Sequence, residues 1–320
     1  MNARSKDLDV QRVTSVRNIA STKSAAIFNV MNTLLFQTRV LVYEDGTVRV
    51  GTSGAEIGQG LATKVVQCCS LRLGVDMAKI EVHESDTGNN TVNNGCTGGS
   101  ATSEVCCQAA LNACDVLLRR LKECAGYEGP GSSVRFEDAV SKAVDAGVSL
   151  SADGWSNPSC DTEFQYFVWV ATCAVVELDV LSGEVVVLSA DIQYDCGEQL
   201  NADIDVGQIE GGFVMGLGYF LSEKVVFDKV DGSLKTPGTW EYKPPGMLDI
   251  PAEFNVRLLR NVGNNAKGNV LRSKAVGEPP MVSSASVWLA VRDAVVHAGG
   301  SMDLACPATI DERLLAVFKK

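Results

Sequence analysis

Val40-Leu41-Val42-Tyr43-Glu44-Asp45-Gly46-Thr47-Val48-Arg49-Val50 sets two β-branched runs about an Asp-Gly step, a strong short-range signal for a β-hairpin. A longer stretch repeats the logic. Residues 164–180 and 185–191 are mostly apolar and β-branched, and Leu181-Ser182-Gly183-Glu184 between them reads as a turn. Hairpins make antiparallel pairs, whereas a parallel sheet needs a crossover between its strands. Helical patterns fall at 61–73 (stopped by Gly74), about 100–124, 136–146 and 205–221, with a closing helix over 282–297. Further strands are expected at 79–83 and 254–259. Strands and helices mix without regular βαβ alternation and no internal repeat is visible, so the fold class is α+β rather than doubly wound.

The chain has 320 residues, 46% of them hydrophobic and 21% charged, the composition of a soluble globular protein with room for two lobes. The lobes are expected at 36–156 and 157–320, with 1–35 an unassigned lead-in, poorly ordered and patternless beyond a short helix. A net charge of −11 argues against nucleic acid or an anionic membrane as partner. No apolar run approaches the roughly 20 residues of a membrane helix, and residues 2–26 lack a signal-peptide core. A cytoplasmic location is expected. Eleven cysteines include the adjacent pairs Cys68-Cys69 and Cys106-Cys107, but no C-x-x-C occurs and the count is odd. They read as small buried hydrophobes rather than as metal ligands or a disulfide framework. With only two histidines, any metal or redox cofactor would be held mainly by backbone and neutral polar groups.

Four stretches carry candidate chemistry. Ser273-Lys274-Ala275-Val276-Gly277-Glu278-Pro279-Pro280 places one carboxylate between a glycine and two prolines, on a segment that turns sharply and is then stiff. A general base needs such placement before it needs a tuned pKa; on the octapeptide alone an ordinary solvated turn carboxylate is the commoner reading. Gly54-Ala55-Glu56-Ile57-Gly58-Gln59-Gly60 joins a strand to a helix, where free N–H groups favour an anion and the Gln59 amide can donate and accept. In Thr97-Gly98-Gly99-Ser100-Ala101-Thr102-Ser103-Glu104 the hydroxyls can cap a helix, and Glu104 sits in its first turn, where the dipole favours negative charge. Gln208, in Asp205-Val206-Gly207-Gln208-Ile209-Glu210-Gly211-Gly212, is expected to open a glycine-rich helix. Plain turns and small-residue packing explain each loop taken singly. Taken together, three glycine-rich helix starts suit a large anionic cofactor.

Those motifs, with Thr239-Trp240-Glu241-Tyr242-Lys243 and Ile250-Pro251 between them, occur in the order found in the xanthine dehydrogenase / aldehyde oxidase family of molybdenum hydroxylases. Over about residues 40–310 the chain resembles the carboxy-terminal half of that family's molybdopterin-binding region, in wording closer to plant-type aldehyde oxidases. The resemblance implies the two-lobed α+β fold of the second molybdenum-binding half. It implies that Ile57, Gly58, Gln59 and Gly60 bind the pterin side of a molybdenum–molybdopterin cofactor. Gly98, Gly99, Ser100 and Thr102 would hydrogen-bond its pterin and phosphate groups, and Gln208 its far end. Glu278 falls on the family's catalytic glutamate, the base for oxidation of an aldehyde or heteroaromatic carbon with water-derived oxygen. No side chain here is implied as a metal ligand.

The family's enzymes are far longer. Their iron–sulfur clusters, FAD and the first half of the molybdenum domain would lie in modules on the same or another chain, in an assembly that is homodimeric when complete. The expected function is therefore that of a catalytic segment, a fragment or split subunit inactive in isolation, and the alternative is a non-catalytic remnant or interaction domain that keeps the fold without cofactor.

Overall fold

The structure, a computed structural model, describes residues 12–26 (as backbone), 36–83, 96–156, 166–260 and 270–318. In chain order the strands are β1 (Arg12–Ala26), β2 (Gln37–Val42), β3 (Val48–Thr52), β4 (Ile80–Val82), β5 (Ser151–Trp155), β6 (Tyr166–Asp179), β7 (Val185–Tyr194) and β8 (Glu253–Leu258). The helices are α1 (Leu61–Leu73), α2 (Thr102–Ala125), α3 (Phe136–Asp145), α4 (Ala202–Leu221), α5 (Pro279–Ser283), α6 (Ala285–His297) and α7 (Ile310–Phe318).

The Asp-Gly hairpin forms as read. Val40 faces Val50 and Val42 faces Val48 across β2 and β3, all four buried. Gly46 takes the left-handed φ of 82°, and Asp45 accepts the Thr47 amide at 2.9 Å. β4 joins β3 in parallel and β5 joins β2 antiparallel, giving the order β4-β3-β2-β5. α1 and α2 pack on each other, and α2 also lies on β2 and β5. Gly60 and Gly74 end α1 with φ of 71° each. Cys68, Cys69, Cys106, Cys107 and Cys114 are buried and unbridged in this core, as small hydrophobes.

In the second sheet, ordered β1-β6-β7-β8, β6 buries alternate residues Val168, Val170, Thr172, Ala174, Val176 and Leu178. The helix α6 covers β1 and β6, and α4 packs against α5, α6 and β8. One core thus draws on residues 36–152 with Val270, and the other on 166–316 with Ala101.

Several boundaries differ from expectation. Residues 12–26 of the supposed lead-in form β1, antiparallel to β6 at the sheet's edge. The segment intersperses three serines, two threonines, Arg17, Asn18 and Lys23 among its apolar residues without strict alternation, so period-2 hydrophobicity does not announce it. Residues 1–11, 27–35 and 157–165, with Cys160 and Phe164, lie outside the described residues. The closing helix is interrupted: Ser283 and Ser284 donate back to the Pro280 and Met281 carbonyls at 2.7 and 2.6 Å, separating α5 from α6. α7 then follows beyond it. Among the described residues no helix is long and apolar enough to cross a membrane.

Candidate cofactor-binding and active site

The two cores meet at a cleft of about 240 Å³. Ile57, Gln59, Gly98, Gly99, Ser100, Thr102, Gln208 and Glu278 all line it, although Ser100 and Glu278 are 178 residues apart. Gly58 and Gly60 do not line it. Gly58 offers its carbonyl to Gln208 Nε2 at 3.3 Å, and Gly60 packs against Ile204 as the left-handed N-cap of α1.

Glu278 stands at the N-cap of α5, where Pro279 and Pro280 cost no hydrogen bonds because first-turn N–H groups lack intrahelical partners. Its amide donates to Ser100 Oγ at 2.8 Å, and Ser100 Oγ donates to Glu278 Oε2 at 2.8 Å. Ser100 is thereby taken from the capping role its sequence suggested. The N-cap of α2 is Ala101, with no side-chain cap, and Thr102 Oγ1 instead accepts the Gly98 amide at 3.2 Å. A left-handed φ of 56° at Ser100 aims its hydroxyl across the cleft.

The anion slot expected at the α1 N-terminus is filled from within. Glu56 accepts the amides of Gly58, Gly60 and Ala62, each at 3.0 Å. Gln59 folds back too: its Oε1 accepts the Ile57 amide at 2.7 Å and its Nε2 donates to the Ala55 carbonyl at 2.9 Å. These amides shape the loop rather than point outward, while the Ile57 side chain is 72% exposed. Gln208 lies in the second turn of α4, not at its start. The helix begins after Asn201, whose Oδ1 accepts the Ile204 amide at 3.1 Å.

Lys64, Glu104, Asp205 and Lys274 also line the cleft and were not singled out as site residues. A lysine on the buried face of α1, three residues from Leu61, was the available signal. Lys64 pairs with Asp205 at 3.1 Å, their side chains 8% and 6% exposed. Burial pushes the Asp205 carboxyl up and Lys64 pulls it back. Lys274 pairs with Asp195 at 2.6 Å, the side chains 8% and 4% exposed, and Asp195 also accepts the Gly197 amide. Lys274→Met strands that carboxylate. It should destabilise the chain by about 3–5 kcal/mol, and urea unfolding that matches wild type would show the pair is not desolvated.

Glu104 is half-buried at the floor, with Tyr166 Oη donating to its Oε2 at 3.0 Å. Burial pushes its carboxyl up from 4.5 to about 7, against the Tyr166 hydrogen bond, so the dipole does not hold it ionised as its first-turn position suggested. Between pH 4.5 and about 7 the folded chain keeps a proton that the unfolded chain has released. Stability from this group is full at the acid end and is lost as pH rises through that window. Residual solvent contact reduces the amount to about 2 kcal/mol. In urea titrations over this window, the stability of wild type relative to Glu104→Gln should fall with rising pH and then level off. A constant difference would contradict the shift.

The residues fit a pterin cofactor in part. Their donors and acceptors are chiefly neutral, the buried cations are offset by carboxylates, and a Cβ at Gly98 would meet nothing within 4 Å. The volume falls below the roughly 300–1,000 Å³ of complete ligand pockets, so this chain encloses only part of such a group.

Comparison with known proteins agrees. Residues 13–251 match the family model of the molybdopterin cofactor-binding domain. Indole-3-acetaldehyde oxidase of Arabidopsis thaliana is 43% identical over 275 residues, 83% of this chain and 20% of the relative. Xanthine dehydrogenase/oxidase of Felis catus is 40% identical over 268 residues, 81% of this chain and 20% of the relative. The chain thus spans about one fifth of these relatives' length. Quinoline 2-oxidoreductase from Pseudomonas putida 86 superposes with a TM-score of 0.83 at 22% identity, over 98% of this chain and 43% of that one, which speaks for the fold. The chain belongs to the molybdopterin cofactor-binding domain family, within the molybdenum hydroxylases related to aldehyde oxidase and xanthine dehydrogenase.

Proposed function

We propose that this chain supplies the base and one wall of the cofactor site in a molybdenum hydroxylase that oxidises aldehydes or heteroaromatic carbons. The observation that carries this reading is the Ser100–Glu278 contact, which joins the family's cofactor loop to its glutamate. When bound, the molybdenum cofactor supplies the oxygen transfer and takes up the electron pair. Gly98, Gly99, Ser100 and Thr102 bind its pterin and phosphate groups, and Gln208 its far end. Ile57 contributes an apolar contact, while Gly58, Gln59 and Gly60 hold the loop that presents it. Glu278 takes a proton through the carboxylate oxygen not bonded to Ser100.

The remaining wall belongs to another part of the enzyme. Phe227, Trp240 and Leu248 turn large apolar side chains to solvent, at 60%, 86% and 99% exposed. We infer that the first half of the molybdenum domain covers them, and that iron–sulfur and flavin modules carry electrons away within a homodimeric assembly. Retention of Glu278 on the cleft speaks for a catalytic segment over a remnant. The test is turnover by the assembled enzyme of an aldehyde and of a nitrogen heteroaromatic in isotope-labelled water. Label in the product is expected with at least one of the two; label arriving only from dioxygen would sink the reading.

A further inference from the structure

Behind the cleft, two buried tyrosines converge on one residue of the Glu278 segment. Tyr166, the first residue of β6, accepts the Ala275 amide on its hydroxyl oxygen at 3.1 Å. Tyr194, the last of β7, donates its hydroxyl to the Ala275 carbonyl at 2.7 Å. The side chains are 5% and 0% exposed, so both backbone groups of Ala275 are satisfied away from water. Tyr166 has one proton to give, and gives it to Glu104 at 3.0 Å. Glu104, in the first turn of α2, follows Ser100 by four residues, and Ser100 holds Glu278 from the other side. The hydrogen bonds close a circuit from α2 through β6 to Ala275, along the segment to Glu278, and through Ser100 back to the start of α2.

We propose that Glu104 is a positioning residue for Glu278, acting through Tyr166 to fix the place at which the 273–278 segment presents its carboxylate. Accepting the phenolic proton turns the lone pairs of Tyr166 toward the Ala275 amide and polarises the oxygen into a better acceptor. Without that acceptor the hydroxyl rotates freely and its hold on Ala275 weakens. Elsewhere the segment is held at its start by the buried Lys274–Asp195 pair and by the Lys274 amide on the Cys196 carbonyl at 2.8 Å, and at its end by Ser100, so the tyrosines fix its middle. A carboxyl half-buried at the cleft is costly for mere packing, and the hydrogen bond from Tyr166 ties Glu104 to this segment. The functional meaning of the circuit rests on Glu278 being the base; the circuit itself does not.

Amide hydrogen exchange at Ala275 in the full chain tests it, with Val291 in α6 as internal reference. Tyr166→Phe should speed exchange at Ala275 relative to Val291 by about 3- to 10-fold, the factor that a hydrogen bond of ordinary net strength gives. Glu104→Ala should speed it by a smaller multiple, and Glu104→Gln, which keeps an acceptor oxygen for Tyr166, should restore most of the protection. If Glu104→Ala matches wild type at Ala275 while Tyr166→Phe does not, the proposal is overturned. It is overturned equally if exchange rises uniformly at both sites and Gln does no better than Ala, because Glu104 is then only structural. Glu278→Gln turnover is read separately: full activity there removes the base assignment and leaves the exchange pattern standing.

Discussion

Glu278→Gln in the assembled enzyme is expected to lower kcat by about 10²–10⁴-fold, the range that a positioned acid or base contributes, with molybdenum content unchanged. Gln occupies nearly the same volume and still offers an oxygen to the Ser100 hydroxyl, while the backbone amide of residue 278 keeps its own bond to Ser100. The segment therefore stays in place and only proton acceptance is lost. KM should move little, because the change acts on the reacting proton rather than on uniform binding. Activity within a few-fold of wild type would remove Glu278 from the reaction. Loss of molybdenum along with activity would instead assign it a role in holding the cofactor.

Gly216→Ala should destabilise the chain by about 3 kcal/mol, lowering Tm by roughly 6–12 °C, whereas Gly211→Ala in the same helix should stabilise it. On α4, a Cβ at Gly216 would lie 2.5 Å from the Met281 carbonyl oxygen and 3.0 Å from Ser284 Cβ. The first neighbour is backbone and cannot rotate away. One turn earlier, a Cβ at Gly212 would lie 2.8 Å from the Gly277 carbonyl. These glycines let α4 press directly on the segment that carries Glu278. At Gly211 nothing lies within 4 Å, so alanine only relieves the entropy penalty of a helical glycine, about 0.5–1 kcal/mol. Thermal melts of the two variants with the same sign would contradict this packing.

Much of this architecture was legible because local chemistry and tertiary structure agree in it. The Asp45-Gly46 turn, the α1 span and the alternation of β6 need only short windows of sequence to be seen. The edge strand β1 was not legible, since its residues lack alternation and its pairing with β6 spans more than a hundred residues. At the site, motif order located Glu278 and the Thr-Gly-Gly-Ser loop, but partner choice was hidden. Ser100 looked like a cap and proved to be a clamp on Glu278. The free amides expected around Gly58 were already taken by Glu56, an acid within the same loop. Lys64, Glu104 and Asp205 acquire their roles only when two cores close over them, which no local pattern encodes.

The most direct measurement of the central claim is the metal and pterin content of the protein isolated from its native source with whatever modules accompany it. Near-equimolar molybdenum and molybdopterin per chain are predicted, both falling in a Ser100→Ala, Gln208→Ala double variant. Protein that is folded and assembled yet carries neither would contradict the account.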